Sequence, residues 1–293
     1  MPKFAKPETQ AVNVVKGLTK TKQIRSLGTA RNYQQALKTV ATWARGNRLN
    51  GLQSISPEQA RYYLERRAEE VGQKALDMER QAIQAMLQMN GSLPPKTPLY
   101  RVKSELDEIK QSRAYKSAQV DAIAESQSSK HRLSTEIAFA AGLRAHELLT
   151  LARVSERKPD NRPALPTKWE GREGQLYTVQ GKGGLIRHVI IPNGLSKQLE
   201  ERRLDQPVTI SDRRINYLQR YDIGAGKKWS DSFGKASKRA LFFSTGAHGL
   251  RHSYAQERIL ELMTLGHSRP HALETVSQEM GHFRPEITEV YLI

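Results

Sequence analysis

Several residues near the carboxyl end of the chain have side chains that could act together on a phosphodiester. His248 and Arg251 lie three residues apart, so in a helix both side chains would leave the same face, and His252 follows them directly. Farther along the chain, His282 precedes Tyr291 by nine residues. An arginine binds phosphate through paired hydrogen bonds, a histidine exchanges a proton near neutral pH, and a phenol can attack phosphorus. The set therefore indicates phosphodiester chemistry with a tyrosine nucleophile.

Two further basic residues lie in segments that suit the same chemistry. Arg144 is flanked by apolar residues, and Glu147 follows three residues later, where it can hold the guanidinium in one pose. Alone, such a pair would be an ordinary surface ion pair worth less than about 1 kcal/mol. Lys182 lies in the glycine turn Gly181–Gly184, which lets the backbone approach a ligand closely. The turn is not a P-loop, because Gly183 stands where that motif requires Ser or Thr.

In order and spacing these residues resemble the signature of the tyrosine recombinases of the phage-integrase type, Arg…Lys…His-x-x-Arg…His…Tyr. The resemblance is strongest from Ala141 to Tyr291, and a looser pattern of helices extends it over Leu27 to Leu87. It implies a site-specific recombinase that cleaves duplex DNA through a 3′-phosphotyrosyl intermediate and exchanges strands between two sites. All six positions of the signature are filled, by Arg144, Lys182, His248, Arg251, His282 and Tyr291.

The resemblance also implies a role for each of these residues. Arg144 would bind the scissile phosphate, and Lys182 would protonate the departing 5′ oxygen. A phenol with the ordinary pKa of about 10 is only about one part in a thousand ionised at pH 7, so Tyr291 requires a base, for which His248 is the candidate. The charge developing on phosphorus would be stabilised by Arg144, Arg251 and His282, with Glu147 and His252 predicted to support the set.

A second histidine competes with His282 for its position in the signature. Leu265-Gly266-His267 matches the family's Leu-Gly-His pattern as well as Met280-Gly281-His282 does. Spacing separates the two, because Val276 lies nine residues beyond His267, whereas Tyr291 lies nine residues beyond His282. We therefore predict that His282 belongs to the site, that a helix starting near Pro285 presents Tyr291 on the same side, and that His267 lies in a polar loop.

The composition favours a polyanionic partner and narrows the chemistry. The 293-residue chain carries a net charge of +17, with a sequence pI near 10.0. Both parts are basic, since residues 1–116 hold 21 Lys and Arg against 10 Asp and Glu, and residues 117–293 hold 26 against 20. We expect double-stranded DNA as the partner. The residues predicted to contact it outside the catalytic set are Lys20, Lys22, Arg25, Arg31, Lys38 and Arg187.

Other classes of protein fit the sequence poorly. The chain has no cysteine, which excludes disulfides, thiolate metal sites and cysteine nucleophiles. Acidic residues do not cluster with metal-ligand spacing, so we predict metal-independent chemistry without a cofactor, the bond energy being kept in the phosphotyrosine. Because no apolar run is long enough for a signal peptide or a membrane span, we expect a cytoplasmic, nucleoid-associated protein of bacterial or phage origin.

The amino-terminal part reads as helical. Residues 1–25 are predicted to be a basic arm or a short helix. Apolar residues at helical spacing follow from about Thr29 to Arg45 and from Ala75 to Leu87. Between these segments, Ser56-Pro57-Glu58 is typical of a helix start with proline in the first turn. We predict that residues 26–100 form a separate all-helical DNA-binding domain of the kind that clamps DNA.

The remainder is predicted to be a linker and a mainly α catalytic domain with a small antiparallel β-sheet. Residues 101–116 alternate Lys with Glu and are interpreted as a linker rather than a solvated helix. Within residues 117–293, alternation at Leu176–Val179 and Ile186–Ile191 predicts a hairpin whose turn carries Lys182. Helices are predicted at Ser117–Glu125 and Leu133–Leu151, the latter interrupted near Gly142, and again from about Ser211, Trp229 and His248.

The prediction is therefore a two-domain DNA strand-exchange enzyme that clamps duplex DNA between its halves, as a homotetramer on two DNA sites and a monomer or dimer when free. Family members often continue past the tyrosine with a tail helix that docks on a neighbouring protomer, whereas Leu292 and Ile293 alone follow Tyr291. That difference leaves the mode of assembly open. Two alternatives remain: a type IB topoisomerase-like enzyme that relaxes DNA, and a non-catalytic DNA-binding protein that retains the clamp.

Overall fold

The computed structural model describes residues 5–108 and 111–293, and the chain forms two compact units, Met1–Ile109 and Lys110–Ile293. The division falls inside the predicted linker. Two segments covered by the sequence predictions lie outside the described residues: residues 1–4 of the basic arm and residues 109–110 of the linker. Each unit contains its own hydrophobic core.

The first unit is built from helices around one core. Ser56 and Gln59 form a capping box, in which the Ser56 hydroxyl accepts from the Gln59 N–H at 3.2 Å and the Gln59 side chain accepts from the Ser56 N–H at 3.0 Å. This reciprocal cap fixes the start of the third helix, as the sequence predicted. The helices are α1 (Pro7–Lys20), α2 (Leu27–Gly46), α3 (Pro57–Ala68) and α4 (Gln73–Met89).

Over the described part of residues 1–25, the structure has a helix, α1, where the sequence left an arm or a helix open. The apolar face of α1, which includes Ala11, Val14 and Leu18, is buried in the same core as α2 and α4. Residues 7–20 therefore belong to the helical unit and do not precede it as an arm. The basic residues of this helix, Lys16 and Lys20, lie on its exposed face.

Each end of the predicted linker 101–116 makes hydrogen bonds with the unit that it adjoins. At the first end, the Glu105 N–H donates to the Ala68 carbonyl at 2.9 Å, and the Ser104 hydroxyl donates to the Val71 carbonyl at 2.8 Å. At the other end, the Tyr115 side chain is buried in the second unit, and its hydroxyl accepts from the Thr245 N–H at 2.7 Å.

The second unit combines helices with two small antiparallel sheets. One sheet has the order β1-β2-β3, and its inward face is apolar, with Tyr177 opposite Val189 in the register. The strands β2 and β3 and the turn between them match the predicted hairpin. The strands are β1 (Ala152–Arg153), β2 (Gln175–Gln180), β3 (Ile186–Ile191), β4 (Arg203–Asp212) and β5 (Ile215–Tyr221).

Several helices of the second unit share a hydrophobic core with this sheet, and further helices follow to the end of the chain. Helix α5 has the bounds predicted for it, whereas the predicted helix Leu133–Leu151 is divided into α6 and a 3₁₀ turn at Glu147–Thr150. The last helices bring the carboxyl end back onto α9, where Tyr291 is buried with Tyr254 and Leu262. The helices are α5 (Ser117–Glu125), α6 (Ser129–Ala140), α7 (Asn193–Glu200), α8 (Gly226–Leu241), α9 (Gly249–Thr264), α10 (Arg269–Met280) and α11 (Pro285–Glu289).

The helix predicted near Ser211 is wrong, because this segment forms the β4–β5 hairpin. Thr209 pairs with Leu218 and Asp212 with Ile215, which leaves a two-residue loop. Both loop residues have positive φ, 51° for Arg213 and 66° for Arg214, as the tight turn of a two-residue hairpin requires. Asparagine and glycine are the usual residues at such positions, so this Arg-Arg pair gave no turn signal in the sequence.

Across residues 5–108 and 111–293, the structure has no helix that is both long enough and apolar enough to cross a bilayer.

Candidate active site

A glycine turn after α6 positions the first residue of the site along the chain. Gly142 has a φ of +59°, and a Cβ at this position would lie 2.7 Å from the ring of Tyr254, so a larger residue would clash. The turn leads to Arg144, whose backbone N–H and Nη1 each donate to the Glu147 carboxylate at 2.8 Å. Glu147 therefore fixes both the backbone and the side chain of Arg144, as the Arg-x-x-Glu spacing predicted.

Glu147 is the buried anion around which the arginines assemble. Its side chain has no exposed surface. Besides its contacts with Arg144, its Oε2 lies 3.0 Å from Arg187 Nη2 and 3.8 Å from Arg251 Nη1. Burial by itself would raise the pKa of Glu147, but the three guanidinium charges outweigh it and hold the pKa at about 2. The carboxylate is therefore ionised at neutral pH and offsets part of the positive charge of the cluster.

The structure corrects the prediction that Arg187 contacts DNA. Arg187 is 4% exposed, and besides Glu147 its guanidinium bonds to the Glu279 carbonyl at 2.9 Å. On β3 it points to the same face as Val189 and Ile191, which are fully buried. The sequence of β3 does not reveal this orientation, because each of its two alternating faces contains two apolar residues and one polar residue. Arg187 therefore pairs with Glu147 inside the protein, where a ligand does not reach it.

Arg251 lies fully buried in the first turns of α9. It donates to the carbonyls of Gly142 and Met280, the second at 3.2 Å, and its Nη2 lies 3.1 Å from His282 Nε2. Burial and the nearby charge of Arg144 lower the pKa of Arg251 to about 10. The guanidinium is still charged at pH 7. It joins the Gly142 turn to the carboxyl end of α10.

His282 lies beside the paired guanidinium groups of Arg144 and Arg251. Helix α10 ends with Gly281 at a φ of +74°, where a Cβ would approach Arg187 Cδ to 2.7 Å. The next residue places its ring so that His282 Nε2 lies 3.2 Å from Arg144 Nη2. Desolvation and the charges of Arg251 and Arg144 lower the pKa of His282 to about 3, so the ring is neutral at pH 7.

Tyr291 packs among three histidine rings. Its ring centroid lies 5.2 Å from that of His282, 5.5 Å from that of His248 and 4.7 Å from that of His252, and Arg251 Cζ lies 5.6 Å from the ring centre. The tyrosine is 8% exposed. As predicted, the preceding helix α11 begins at Pro285. A bidentate ion pair, with both Arg269–Glu289 contacts at 2.9 Å, ties α11 to α10.

His248 and His252 occupy the start of α9, on the side of the helix next to Tyr291. Desolvation and the charge of Arg251 lower the pKa of His248 to about 4, although part of the residue is open to solvent. Desolvation and the charge of Arg113 likewise lower the pKa of His252 to about 4. Both rings are therefore neutral at pH 7 and able to accept a proton.

Lys182 lies at the exposed tip of the β2–β3 hairpin, and the base of the tip is packed against the site. A Cβ on Gly181 would lie 3.3 Å from Glu147 Oε1, and a Cβ on Gly281 would lie 3.4 Å from Leu185 Cδ2. The hairpin loop therefore borders both Glu147 and the turn that carries His282. This position gives Lys182 a flexible side chain at the margin of the cluster.

The remaining predicted residues are described by their own contacts and exposure. His267 is in the loop between α9 and α10, where its Nε2 lies 2.9 Å from Glu170 Oε2. In the first unit, Lys38 lies 3.7 Å from the Glu8 carboxylate. The other basic residues predicted to contact DNA are exposed on the same unit: Lys20, Lys22, Arg25 and Arg31. Their contact with DNA stays a prediction.

The described residues contain no group of three or more His, Asp or Glu side chains arranged to hold a metal ion. What the second unit does assemble is a set of groups suited to an anion: two guanidinium groups, three neutral imidazoles and a phenol. The arrangement can bind an anionic oxygen beside Arg144 and Arg251 and can take a proton from a nearby hydroxyl. It therefore has the groups needed for attack by Tyr291 on a phosphodiester.

Replacing Glu147 with Gln should destabilise the second unit severely. The amide keeps the shape of the carboxylate but leaves the buried guanidinium groups of Arg187 and Arg251 uncompensated, for which we expect a loss of about 3–5 kcal/mol. Urea unfolding at pH 7 measures the loss. Glu136→Gln is the control, because its half-exposed pair with Arg132 should contribute under about 1 kcal/mol. Similar losses in the two variants would contradict the role given to Glu147.

The buried His252 should make the fold sensitive to acid. A histidine whose folded pKa lies below its unfolded value of 6.5 contributes stability above pH 6.5, and that contribution is lost as the pH falls toward the folded pKa. For the 5%-exposed His252, this window runs from about pH 6.5 to about pH 4. Between pH 7 and pH 4.5, His252→Asn should lose roughly 2 kcal/mol less stability than the wild type in urea titrations. Equal losses of stability in His252→Asn and the wild type over this pH range would contradict the burial of a neutral ring.

Comparison with known proteins identifies the fold. No protein-family model matches the chain, and no curated protein matches its sequence. Solved structures do match. A lambda integrase tetramer bound to a Holliday junction has a TM-score of 0.60 at 14% identity, covering 97% of this chain and 76% of that one.

Two further solved structures give the same result. The Tn1549 transposon integrase in complex with circular intermediate DNA has a TM-score of 0.59 at 15% identity, covering 97% of this chain and 94% of that one. XerH site-specific recombinase in its post-cleavage complex with palindromic difH substrate has a TM-score of 0.56 at 16% identity, covering 99% of this chain and 94% of that one. The chain therefore has the fold of the tyrosine recombinases, as its signature residues predicted.

Proposed function

We propose that this chain is a site-specific DNA recombinase that cleaves and rejoins duplex DNA through a tyrosine covalently joined to a 3′ phosphate. The proposal rests on the fold and on one observation above all. Tyr291, the only tyrosine after Tyr254, lies among three neutral histidines and against the guanidinium of Arg251. A tyrosine placed for packing alone would not require this concentration of phosphate-binding and proton-accepting groups.

In the proposed cleavage step, the oxygen of Tyr291 attacks the scissile phosphorus and the bond from phosphorus to the 5′ oxygen breaks. His248 takes the proton of the phenol, and its lowered pKa keeps the ring free to accept at pH 7. Arg144 and Arg251 bind the non-bridging oxygens, where negative charge develops in the transition state. The contact made by the fully buried Arg251 is strengthened because water screens it little.

Lys182 completes the proposed step by protonating the 5′ oxygen as it departs. This proposal is supported by the glycines on both sides of Lys182, which would let the hairpin tip approach DNA closely, and by the position of Gly181 beside Glu147. Rejoining reverses the sequence of events: a 5′ hydroxyl of the partner strand attacks the phosphotyrosine, Lys182 takes its proton, and Tyr291 regains a proton from His248. Cleavage and rejoining therefore need no metal and no nucleotide cofactor.

The proposed partner is double-stranded DNA, with two sites brought together by four copies of the chain. Support comes from the net charge of +17 and from the DNA complexes of proteins with the same fold, including the lambda integrase tetramer on a Holliday junction. We assign DNA contacts to the first unit as well, through the exposed residues Lys20, Lys22, Arg25 and Arg31. These contacts would bind the backbone and leave the chemistry to the second unit.

Trapping covalent complexes on DNA tests the proposal and finds the site. The chain is incubated with genomic DNA from the host that encodes it, the reaction is stopped with detergent, and protein-linked ends are captured and sequenced. We expect ends concentrated at one or a few sites. Ends scattered without sequence preference, together with relaxation of supercoiled plasmids that lack those sites, would favour a topoisomerase. A yield of protein-linked ends no higher than that obtained with heat-inactivated protein would favour a non-catalytic DNA-binding protein.

His282 and His267 should differ sharply in their effect on cleavage. His282 lies between two arginines and Tyr291, whereas His267 bonds to Glu170 in a loop. We expect His282→Ala to slow single-turnover cleavage at least tenfold, within the range of a positioned proton-transfer group, and His267→Ala to change it less than about twofold. A slower His267→Ala variant beside a normal His282→Ala variant, both folded, would reverse the assignment.

A further inference from the structure

Thr288 connects the two residues at the centre of the proposed chemistry. Its side chain is fully buried, and its Oγ1 lies 2.9 Å from His282 Nδ1. Its backbone carbonyl accepts a hydrogen bond from the Tyr291 N–H at 2.9 Å. One residue of α11 therefore contacts the imidazole that faces the arginines and also the backbone that carries the nucleophile.

The contacts of His282 determine which of its nitrogens carries the proton. A guanidinium can only donate hydrogen bonds, and His282 Nε2 lies within 3.2 Å of the guanidinium groups of both Arg144 and Arg251. Nε2 is therefore an acceptor and has no proton. In the neutral ring the proton must be on Nδ1, from which it is donated to Thr288 Oγ1.

We propose that Thr288 is a positioning residue: its hydroxyl accepts the Nδ1–H of His282 and so keeps the ring turned with Nε2 toward Arg144 and Arg251, next to Tyr291. This inference rests on the proposed function, and it assigns a residue outside the six-residue signature. Thr288 takes no part in bond making. It determines which nitrogen of His282 faces the phosphate and keeps that nitrogen in place while Tyr291 attacks.

The tautomer has a consequence for proton transfer. With Nδ1 already protonated and bonded to Thr288, a proton gained by His282 must go to Nε2, the nitrogen beside Arg144 and Arg251. An anionic phosphate entering between these guanidinium groups would favour that protonation, because it adds negative charge next to the ring. His282 would then donate from Nε2 to a phosphate oxygen. Without the Thr288 oxygen the ring could turn or change tautomer and lose this donor.

The experiment compares three threonine variants of the full chain. Thr288→Val keeps the shape of the side chain and removes the hydroxyl, while Thr288→Ser keeps the hydroxyl. Thr275→Val is the matched control, because Thr275 is also fully buried and loses a hydroxyl bonded to Thr167 at 2.8 Å, outside the site. Single-turnover adduct formation and DNA affinity are measured on a nicked duplex carrying the trapped site. Circular dichroism verifies that each variant is folded.

A ¹⁵N NMR spectrum of the histidine side chains reports the tautomer of His282, which a change in packing alone would not alter. The full chain is labelled with ¹⁵N-histidine, and the His282 signals are assigned with His282→Asn. We expect the protonated Nδ1 and bare Nε2 of His282 in the wild type and in Thr288→Ser, and a mixture of tautomers in Thr288→Val. Because the spectrum needs no DNA, it tests the tautomer whether or not the chain proves to cleave.

We expect Thr288→Val to slow adduct formation about 10- to 100-fold at unchanged DNA affinity, by analogy with the loss of a partner that orients a metal-binding histidine. Thr288→Ser and Thr275→Val should stay within about threefold of the wild type. A wild-type tautomer and rate in Thr288→Val, or an equal loss of rate in Thr275→Val, would overturn the inference. A wild type that forms no adduct would instead contradict the proposed function, and the spectrum would still decide the role of Thr288.

Discussion

Replacing Tyr291 with Phe is expected to abolish covalent attachment to DNA while leaving affinity within about twofold of the wild type. The substitution removes one oxygen and keeps the ring, so the contacts with His248, His252 and His282 that bury this residue should persist. Without the phenol no atom is left in that position to form a phosphotyrosyl bond. The readout is a nicked suicide duplex resolved on a denaturing gel.

Tyr254→Phe is the matched control for that experiment. Tyr254 is also buried in the second unit, and its hydroxyl donates to the Glu279 carboxylate at 2.8 Å. Loss of this hydrogen bond to a buried carboxylate should cost about 1.5–3 kcal/mol of stability and leave the adduct yield of the folded protein near that of the wild type. An adduct formed by Tyr291→Phe, or lost from Tyr254→Phe at full affinity for the duplex, would mean that the wrong tyrosine has been assigned.

The second large effect is expected from Arg144→Ala. If this guanidinium stabilises charge on the five-coordinate phosphorus, its removal should raise the barrier by about 3–4 kcal/mol, which slows cleavage roughly 200- to 1,000-fold. Affinity for DNA should fall far less, because many other contacts bind the backbone. Single-turnover cleavage and equilibrium binding, measured on the same duplex, separate the two effects.

Arg144 suits this test better than Arg251. Arg144 keeps 22% of its side chain exposed, whereas Arg251 is fully buried and bonds to the carbonyls of Gly142 and Met280, so its removal would also disturb the fold. Arg153→Ala serves as the control, since its ion pair with Glu200 lies on β1, outside the site. Equal losses of affinity and rate in Arg144→Ala would instead indicate that the residue merely binds phosphate.

The parts of the structure that were predictable from the sequence are those where local spacing determines geometry. The i, i+3 spacing of His248 and Arg251 predicted neighbouring side chains at the start of α9, where His248 is the N-cap residue and Arg251 lies in the first turn. The Arg-x-x-Glu spacing predicted the contact between Glu147 and the Arg144 guanidinium. The glycine turn between two alternating segments predicted the hairpin that carries Lys182. In each case the relevant contacts lie within a few residues of one another along the chain.

Contacts between distant segments were not predictable in the same way. Arg187 was expected at a DNA surface because it is basic, yet its position on β3 and the buried carboxylate of Glu147 bring it inside. An isolated sequence gives the charge of an arginine but does not reveal a buried partner 40 residues away. The role inferred for Thr288 depends similarly on the fold, because the tautomer of His282 follows from two arginines that come from α9 and from the turn after α6.

The β4–β5 hairpin was missed for a different reason. Its outer residues, such as Thr209 and Leu218, are exposed, so burial did not impose the clear alternation of a half-buried strand. Its turn residues Arg213 and Arg214 adopt positive φ without the asparagine or glycine by which such turns are recognised. Neither the strand signal nor the turn signal was therefore present in the sequence.

The central claim is that Tyr291 becomes joined to a 3′ phosphate, and the covalent link itself is the most direct test. The adduct trapped on the nicked duplex is digested with protease and nuclease, and the modified peptide is sequenced by mass spectrometry. Parallel reactions carry a radiolabel on either the 5′ or the 3′ side of the cleavage position. We expect a nucleotide on Tyr291 and label retained only from the 5′ side, as a 3′-phosphotyrosyl bond requires. A nucleotide on another residue, or label retained from the 3′ side, would contradict the proposed mechanism.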